Sequence, residues 1–240
     1  MQFHVVTLFP EMFEGTFNSS IIGRAIERNL ITIDFVNPRD FAEGKHRSVD
    51  APPYGGGPGM VIMAPPLASA IESINARYRT DELPATVLMT PQGSQMTHAA
   101  AQHFSGMKSL IIVCGHYEGI DERFIEEYVD WEISIGDFVL TGGEIPAMAM
   151  VDSVTRLIPG VLGDIGSAKE ESFSNDNRGM LEGPVYTRPA EFRGRTVPEV
   201  LLNGNRREVE RFRRRKAAER TLARRPDLMK GWGPEPPIED

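Results

Sequence analysis

Short apolar runs separated by longer amphipathic segments constrain the fold more than any other feature of the sequence. The apolar runs predict buried strands, which we expect at Phe3–Phe9, Ile31–Val36, Ala85–Met89, Leu110–Cys114 and Trp131–Ile135. The amphipathic segments predict helices, the first capped by Ser19–Ser20 and the others at 66–79, 95–104, 121–128 and 144–158. Strands that alternate with helices favour an α/β fold in which helices cover both faces of a parallel sheet.

Beyond residue 160 this alternation stops and the chain changes character. Residues 163–183 are polar and rich in glycine, which is typical of a functional loop or a linker. Helices are expected again at Val197–Leu202 and Arg206–Leu222, and the final residues, Gly231–Asp240, should be mobile. The sequence therefore predicts an α/β domain at 1–162, a flexible linker at 163–183 and a small basic helical domain at 184–240.

Basic residues are concentrated in the predicted C-terminal domain. The formal net charge is -8, yet the stretch from Arg188 to Lys230 holds 14 basic and only 6 acidic residues. Attraction to a polyanion is local, because salt screens exposed charges beyond about 10 Å. A basic end on an acidic protein therefore indicates a partner such as nucleic acid that docks at that end.

Features missing from the sequence disfavour several classes of protein. The single cysteine, Cys114, cannot form an internal disulfide or a Cys-rich zinc site and is expected to pack as a small hydrophobe. No stretch approaches the ~18 apolar residues of a membrane span, and the N-terminus lacks the basic region of a secretory signal, so we expect a cytoplasmic protein without a membrane partner. Standard phosphate-loop, dinucleotide and zinc-protease motifs are absent, which disfavours common kinases, Rossmann dehydrogenases and zinc hydrolases.

Three glycine-containing loops each follow a predicted strand: Thr90–Gly93, Gly115–Gly119 and Gly136–Glu144. Ligands of open α/β sheets bind outside the carboxyl ends of the strands, where glycine lets the backbone approach them closely. Any one loop could be only a tight turn. Three in succession favour a ligand site at one edge of the sheet.

Two of these loops, and a glycine-rich segment earlier in the chain, carry longer motifs that point to a family. CGHYEGIDERF (Cys114–Phe124), ISIGDFVLTGGEIPA (Ile133–Ala147) and PYGGGPGM (Pro53–Met60) resemble the bacterial tRNA (guanine-37-N1)-methyltransferases of the SPOUT superfamily, and the resemblance runs from Phe3 to about Met229. It implies an α/β fold with a deep trefoil knot whose loops hold S-adenosylmethionine. It also implies a homodimer whose active site joins two subunits, and a tRNA anticodon stem-loop as substrate.

The resemblance also assigns residues to the cofactor. The resemblance also suggests Mg²⁺ as an optional second cofactor, ordered near Asp137 and Glu118. The sequence itself shows no pattern of Mg²⁺ ligands. The implied S-adenosylmethionine-binding residues are Pro91, Gly93, Gly115, Tyr117, Glu118, Gly119, Ile135, Gly136, Leu140, Gly142, Gly143 and Pro146.

Methylation of guanine N1 requires a base that removes the N1 proton and a cation that stabilises the charge developing on O6. The resemblance puts the cation at Arg156 and the base at Glu171, where the family usually has aspartate. The segment Ser174–Arg178 looks longer than in the family, which leaves Asp176 as a rival base. Without the resemblance, Arg156 would be interpreted as part of a surface ion pair and Glu171 as a solvated linker charge.

The substrate residues come from two parts of the chain. A glycine-rich loop would admit an extruded guanine, and arginines near the C-terminus would contact phosphates. Alternatively these are a plain surface loop and a solvated helix face. The implied substrate-binding residues are His46, Asp50, Tyr54, Gly55, Gly59, Arg211, Arg214 and Arg215.

Two other functions remain open at this point. A non-catalytic RNA-binding module could retain the cofactor fold and bind RNA without transferring a methyl group. A hydrolase that uses a carboxylate pair is a third reading, but the sequence has no nucleophile or metal motif to support it.

Overall fold

The apolar runs of the first part of the chain form the strands around which it is built. The structure is a computed structural model and describes residues 1–163 and 171–230. Its two compact units are Met1–Gly163, called unit 1 here, and Asp164–Asp240, called unit 2. The expected mobile tail at 231–240 and residues 164–170 of the predicted linker lie outside the described residues.

The strands of unit 1 are β1 (Gln2–Val6), β2 (Thr32–Val36), β3 (Asp50–Ala51), β4 (Val61–Ile62), β5 (Ala85–Gln95), β6 (Ser109–Cys114) and β7 (Trp131–Ser134). Five of them form one sheet in the order β2-β1-β6-β5-β7, and every pairing in it is parallel. β3 and β4 form a separate antiparallel pair. The prediction of an α/β fold with a central parallel sheet is confirmed.

Helices connect the strands and cover the sheet: α1 (Glu14–Phe17), α2 (Ser20–Glu27), α3 (Ala64–Asn75), α4 (His98–Ser105), α5 (Glu122–Tyr128) and α6 (Glu144–Thr155). Short 3-10 turns at Pro10–Phe13, Pro38–Phe41 and Thr80–Glu82 complete this unit. Every residue of the central strand β6 is buried. Along it Leu110 and Ile112 belong to a core that includes residues of α2, α4 and α6, while Ile111 and Val113 belong to a second core with α3 and α5.

Several predicted boundaries are wrong, for identifiable reasons. Gln95 belongs to β5 rather than to the next helix, because β5 resumes pairing with β7 after an irregularity between Met89 and Ser94. The helix begins at His98 instead, where the Thr97 hydroxyl accepts a hydrogen bond from the Ala100 N–H.

The predicted serine cap of α2 is also wrong. Ser19 stands at the cap position but its side chain does not cap the helix; its hydroxyl donates to the Gly15 carbonyl 2.8 Å away. β1 is shorter than predicted and ends at Val6 rather than at Phe9. The hydroxyl of the next residue, Thr7, donates a hydrogen bond to the buried Glu144 carboxylate.

Unit 2 contains a hairpin of β8 (Glu191–Phe192) and β9 (Arg195–Thr196), the helix α7 (Arg206–Arg224), and 3-10 turns at Glu199–Leu201 and Pro226–Met229. The Asn205 side chain caps α7 by accepting hydrogen bonds from the Arg207 and Glu208 N–H groups. The helix predicted at Val197–Leu202 is only the short turn Glu199–Leu201, and soon after it Gly204 takes a left-handed φ of 76° that a helix cannot continue through. No helix in the described parts of either unit is long and apolar enough to cross a membrane.

Candidate functional site

The three predicted loops, which are the irregular stretch of β5 between Met89 and Ser94 and the loops that follow β6 and β7, meet at the carboxyl edge of the sheet. They enclose a cleft of about 250 Å³. Its walls combine apolar side chains, such as Leu88 and Ile133, with backbone groups of the glycine-rich turns. A cleft that mixes apolar walls with a few polar groups is the usual form of a small-molecule site.

Almost all residues that the sequence assigned to the cofactor line this cleft. They are Pro91, Gly115, Tyr117, Glu118, Gly119, Ile135, Gly136, Leu140, Gly142, Gly143 and Pro146. Gly93 does not line it. A Cβ atom at Gly93 would collide with the backbone of Glu132 and Ile133, so this glycine allows the chain to cross β7.

The second and third loops are joined through their backbones. Gly143 donates its N–H to the Gly115 carbonyl at 2.8 Å, and His116 pairs with Gly142 in an isolated antiparallel bridge. A Cβ atom at Gly143 would lie 2.7 Å from the Cα of Cys114. Glycine is therefore needed here so that the two loops can approach each other.

A buried carboxylate beneath the cleft escaped the sequence analysis. Glu144, in the first turn of α6, is only 1% exposed, and one of its oxygens accepts a 2.8 Å hydrogen bond from the Thr7 hydroxyl. Burial, and secondarily the nearby Glu144, raises the pKa of the Cys114 thiol well above its usual value. Cys114 therefore stays a neutral thiol that packs in the core, as predicted.

The loop predicted to admit the substrate base lies against the second cofactor loop. The Glu118 N–H donates to the Met60 carbonyl at 3.0 Å, and a Cβ atom at Gly59 would collide with the Glu118 side chain. Asp50 pairs with Ile62 in the β3–β4 ladder and is half-buried. At the tip Tyr54 is fully exposed, next to Gly55.

The remaining substrate candidate of unit 1, His46, is exposed within a turn. Among residues 1–163 and 171–230, no group of three or more His, Cys, Asp or Glu side chains could hold a metal ion. Asp137 is exposed, and the described residues give the suggested Mg²⁺ near Asp137 and Glu118 no support.

The two predicted catalytic residues belong to different units. Arg156 caps the C-terminal end of α6, where its N–H donates to the Asp152 carbonyl at 3.1 Å. It is half-buried and is not among the residues that line the cleft.

Glu171 begins a tight turn network in unit 2. Its backbone carbonyl accepts hydrogen bonds from the Ser174 N–H at 3.2 Å, the Ser174 hydroxyl at 2.8 Å and the Asn177 side-chain amide at 3.4 Å. Glu171 is half-buried, whereas the rival base Asp176 is exposed. The backbone of Glu171 is therefore held in place.

Helix α7 holds the same segment from the other side. Its Arg220 guanidinium donates to the carbonyls of Glu182, at 2.9 Å, and Gly183, at 3.0 Å. The buried Thr221 hydroxyl accepts a 3.0 Å hydrogen bond from the Leu181 N–H. The end of the predicted linker is thus tied to the basic helix.

The arginines predicted to bind RNA are all exposed on α7. Arg214 pairs with Glu210 at 2.7 Å and Arg215 with Glu219 at 3.7 Å. Exposed pairs of this kind are worth at most about 1 kcal/mol. A phosphate can therefore displace the glutamates at little cost.

The chain is similar to known proteins over nearly its whole length. Residues 1–231 match the family described as tRNA (Guanine-1)-methyltransferase TrmD. A relative from Pelotomaculum thermopropionicum, named tRNA (guanine-N(1)-)-methyltransferase, is 53% identical over 97% of this chain and 91% of its own length. One of the same name from Geobacter sulfurreducens is 54% identical over 95% of this chain and 91% of its own.

Proposed function

The chain belongs to the tRNA (guanine-N1)-methyltransferase family, and on that premise we propose that it methylates N1 of guanine 37, beside the anticodon, using S-adenosylmethionine. The observation that carries the proposal is the cleft at the carboxyl edge of the sheet, lined by three loops of which two, 115–119 and 136–144, belong to the motifs that carry the resemblance. Membership of a transferase family argues against a module that only binds RNA.

The residues of the cleft fit S-adenosylmethionine. Gly119 lines the cleft, and a Cβ atom there would meet nothing within 4 Å, so a ligand has room to approach its Cα, while its N–H and C=O are paired with His116 and Ile62. The apolar walls suit an adenine ring, and the backbone N–H and C=O groups can recognise its edge. When bound, the cofactor supplies a methyl group on a positively charged sulfur.

We assign removal of the N1 proton to the Glu171 carboxylate. A general base must be held within hydrogen-bond reach of the proton it removes. The fixed backbone and partial burial of Glu171 support it over the exposed Asp176. As the proton leaves, negative charge moves toward guanine O6, and Arg156 stabilises it there by a charge-assisted hydrogen bond.

We also propose a knotted chain, a homodimer and a docking surface for tRNA. The trefoil knot follows from the family resemblance. The homodimer, whose site would join Arg156 of one subunit to Glu171 of the other, follows from the family. The glycine-rich loop near Tyr54 would receive the base, while Arg211, Arg214 and Arg215 would contact the tRNA backbone.

Replacement of Glu171 by glutamine tests the chemistry. The Glu171→Gln variant keeps the size of the side chain but cannot accept the N1 proton, so methylation should slow by about 100-fold or more. Transfer of labelled methyl groups to anticodon stem-loops with guanine or adenine at position 37 measures this. Titration with S-adenosylhomocysteine should give an affinity close to wild type.

Asp176→Asn is the matched control and should methylate at the wild-type rate. The assignment of Glu171 is overturned if the control, rather than Glu171→Gln, loses activity. The proposed function itself is overturned if the wild-type protein methylates neither stem-loop.

A further inference from the structure

Segment 185–196 of unit 2 is exposed at every residue, although it contains two aromatic side chains. Tyr186 is 48% exposed and Phe192 is 63% exposed. An exposed phenylalanine gains nothing from the core, and Phe192 stands at the end of a two-residue strand. Its surroundings indicate what it could bind.

The register of the hairpin separates its charges between two faces. Phe192 pairs with Arg195, and Glu191 pairs with Thr196. Directly opposed residues of an antiparallel pair project to the same face, and neighbours along a strand project to opposite faces. Phe192 and Arg195 therefore share one face, and the acidic residue of the hairpin lies on the other.

The turn adds a second cation beside the ring. Arg193 and Gly194 connect the strands with φ of 51° and 75°, which is typical of the tight type I′ hairpin turn. The guanidinium carbon of Arg193 lies over the Phe192 ring, 5.2 Å from its centre. Phe192 is thus an exposed apolar ring with Arg193 over one of its faces and Arg195 opposite it on the neighbouring strand.

From this arrangement we infer that the Phe192 face of the hairpin is an RNA-binding platform, on which an unpaired nucleotide of the tRNA stacks while Arg195 contacts its phosphate. Stacking of bases on exposed aromatic rings beside basic groups is the general mode of binding single-stranded nucleic acid. The inference rests on the proposed function and adds to it a contact separate from helix α7. Self-association through this face would bring two arginine-bearing surfaces together, which like charge opposes.

The test measures tRNA affinity of the full-length protein in the presence of S-adenosylhomocysteine, at several salt concentrations. Phe192→Ala should weaken binding of a tRNA transcript about tenfold without changing the salt slope, because stacking releases no counterions. Phe192→Trp should restore affinity. Arg195→Gln should weaken binding and reduce the slope by about one.

Thr196→Ala is the matched control, since it changes the opposite face of the same hairpin. It should bind tRNA as wild type does. A fully base-paired RNA should bind Phe192→Ala and wild type equally, because its bases are already stacked.

The inference is overturned if Phe192→Ala binds tRNA like wild type, if Thr196→Ala weakens binding as much, or if Phe192→Ala changes the sedimentation of the free protein. The last result would assign the face to a second copy. These outcomes differ from failure of the proposed function, in which the wild-type protein itself would not methylate tRNA.

Discussion

Unit 1 and unit 2 present their candidate ligand sites in opposite ways. In unit 1 the cleft is formed by three loops, two of which are joined through their backbones, and Gly93 and Gly143 stand where a single extra carbon would collide with another strand or loop. In unit 2 the candidate RNA contacts are exposed side chains on a helix and a hairpin, such as Arg211 and Phe192. The first site depends on shape and the second on charge and stacking.

This difference predicts how substitutions should reduce ligand affinity at each site. A site made of closely packed backbone is lost when one atom is added, because the strands cannot move apart cheaply. A surface made of separate charges loses affinity by increments, because each phosphate contact contributes independently and is screened by salt. Three predictions test this contrast, in decreasing order of expected effect.

The largest effect is expected for Gly93→Ala in unit 1. The added Cβ would collide with the backbone of Glu132 and Ile133, so β5 and β7 would have to separate at the edge of the cleft. We expect affinity for S-adenosylhomocysteine, measured by calorimetry, to fall by about 100-fold, together with a lower unfolding temperature.

Gly15→Ala supplies the control for this prediction. Gly15 lies in α1 and has no atom within 4 Å of the position of a Cβ. Its replacement should leave cofactor affinity unchanged. Wild-type affinity in Gly93→Ala would show that the site tolerates added atoms and would remove the contrast between the two units.

An intermediate effect is expected when Arg211, Arg214 and Arg215 are all changed to glutamine. Affinity for tRNA should fall about tenfold at low salt, and the salt slope should decrease by up to about three, because as many as three phosphate contacts are lost. Cofactor affinity should stay at the wild-type value.

Arg79→Gln with Lys108→Gln removes exposed cations from unit 1 instead and should leave the tRNA salt slope unchanged. A slope that is also unchanged in the triple arginine variant would mean that tRNA does not dock on α7. The contrast would then have to be restated without the helix.

The smallest effect concerns pH. All five histidines of the chain precede residue 164, and His4 is 3% exposed, with its Nδ1 atom 2.6 Å from the Asp34 carboxylate. Burial lowers the pKa of His4 below its usual 6.5, although Asp34 partly opposes the shift. As pH falls through 6.5 the unfolded chain takes up a proton before the folded protein does, so stability decreases.

We therefore expect the unfolding temperature to fall by a few degrees between pH 7 and pH 5.5, and His4→Gln to flatten this dependence. His46→Gln, which alters an exposed histidine, should keep it. If His4→Gln loses as much stability on acidification as wild type, another group of the protein is responsible.

The sequence predicted the parallel sheet well because burial on both faces leaves a plain signal. β6 was expected at Leu110–Cys114 and lies at Ser109–Cys114, since the middle strand of such a sheet is continuously apolar. The hairpin of unit 2 was missed because each of its strands has two exposed residues. The Arg193–Gly194 turn was the only local signal that could have revealed it.

The site was predictable to the extent that it consists of loops at the ends of strands. Gly93 shows the limit of such a prediction, because the sequence does not reveal whether a glycine makes room for a ligand or for another strand. Glu144 shows another, since its partner Thr7 lies 137 residues away along the chain. Neither contact is encoded in any local pattern.

The Arg220 side chain, which donates to the carbonyls of Glu182 and Gly183, serves the protein rather than a partner. Selection would preserve an arginine at this position even in a lineage that had lost every nucleic acid ligand. An arginine kept at this place among distant relatives is thus no sign of RNA binding by itself. The number of basic residues in α7 is therefore an upper bound on the number of positive charges available to bind a polyanion.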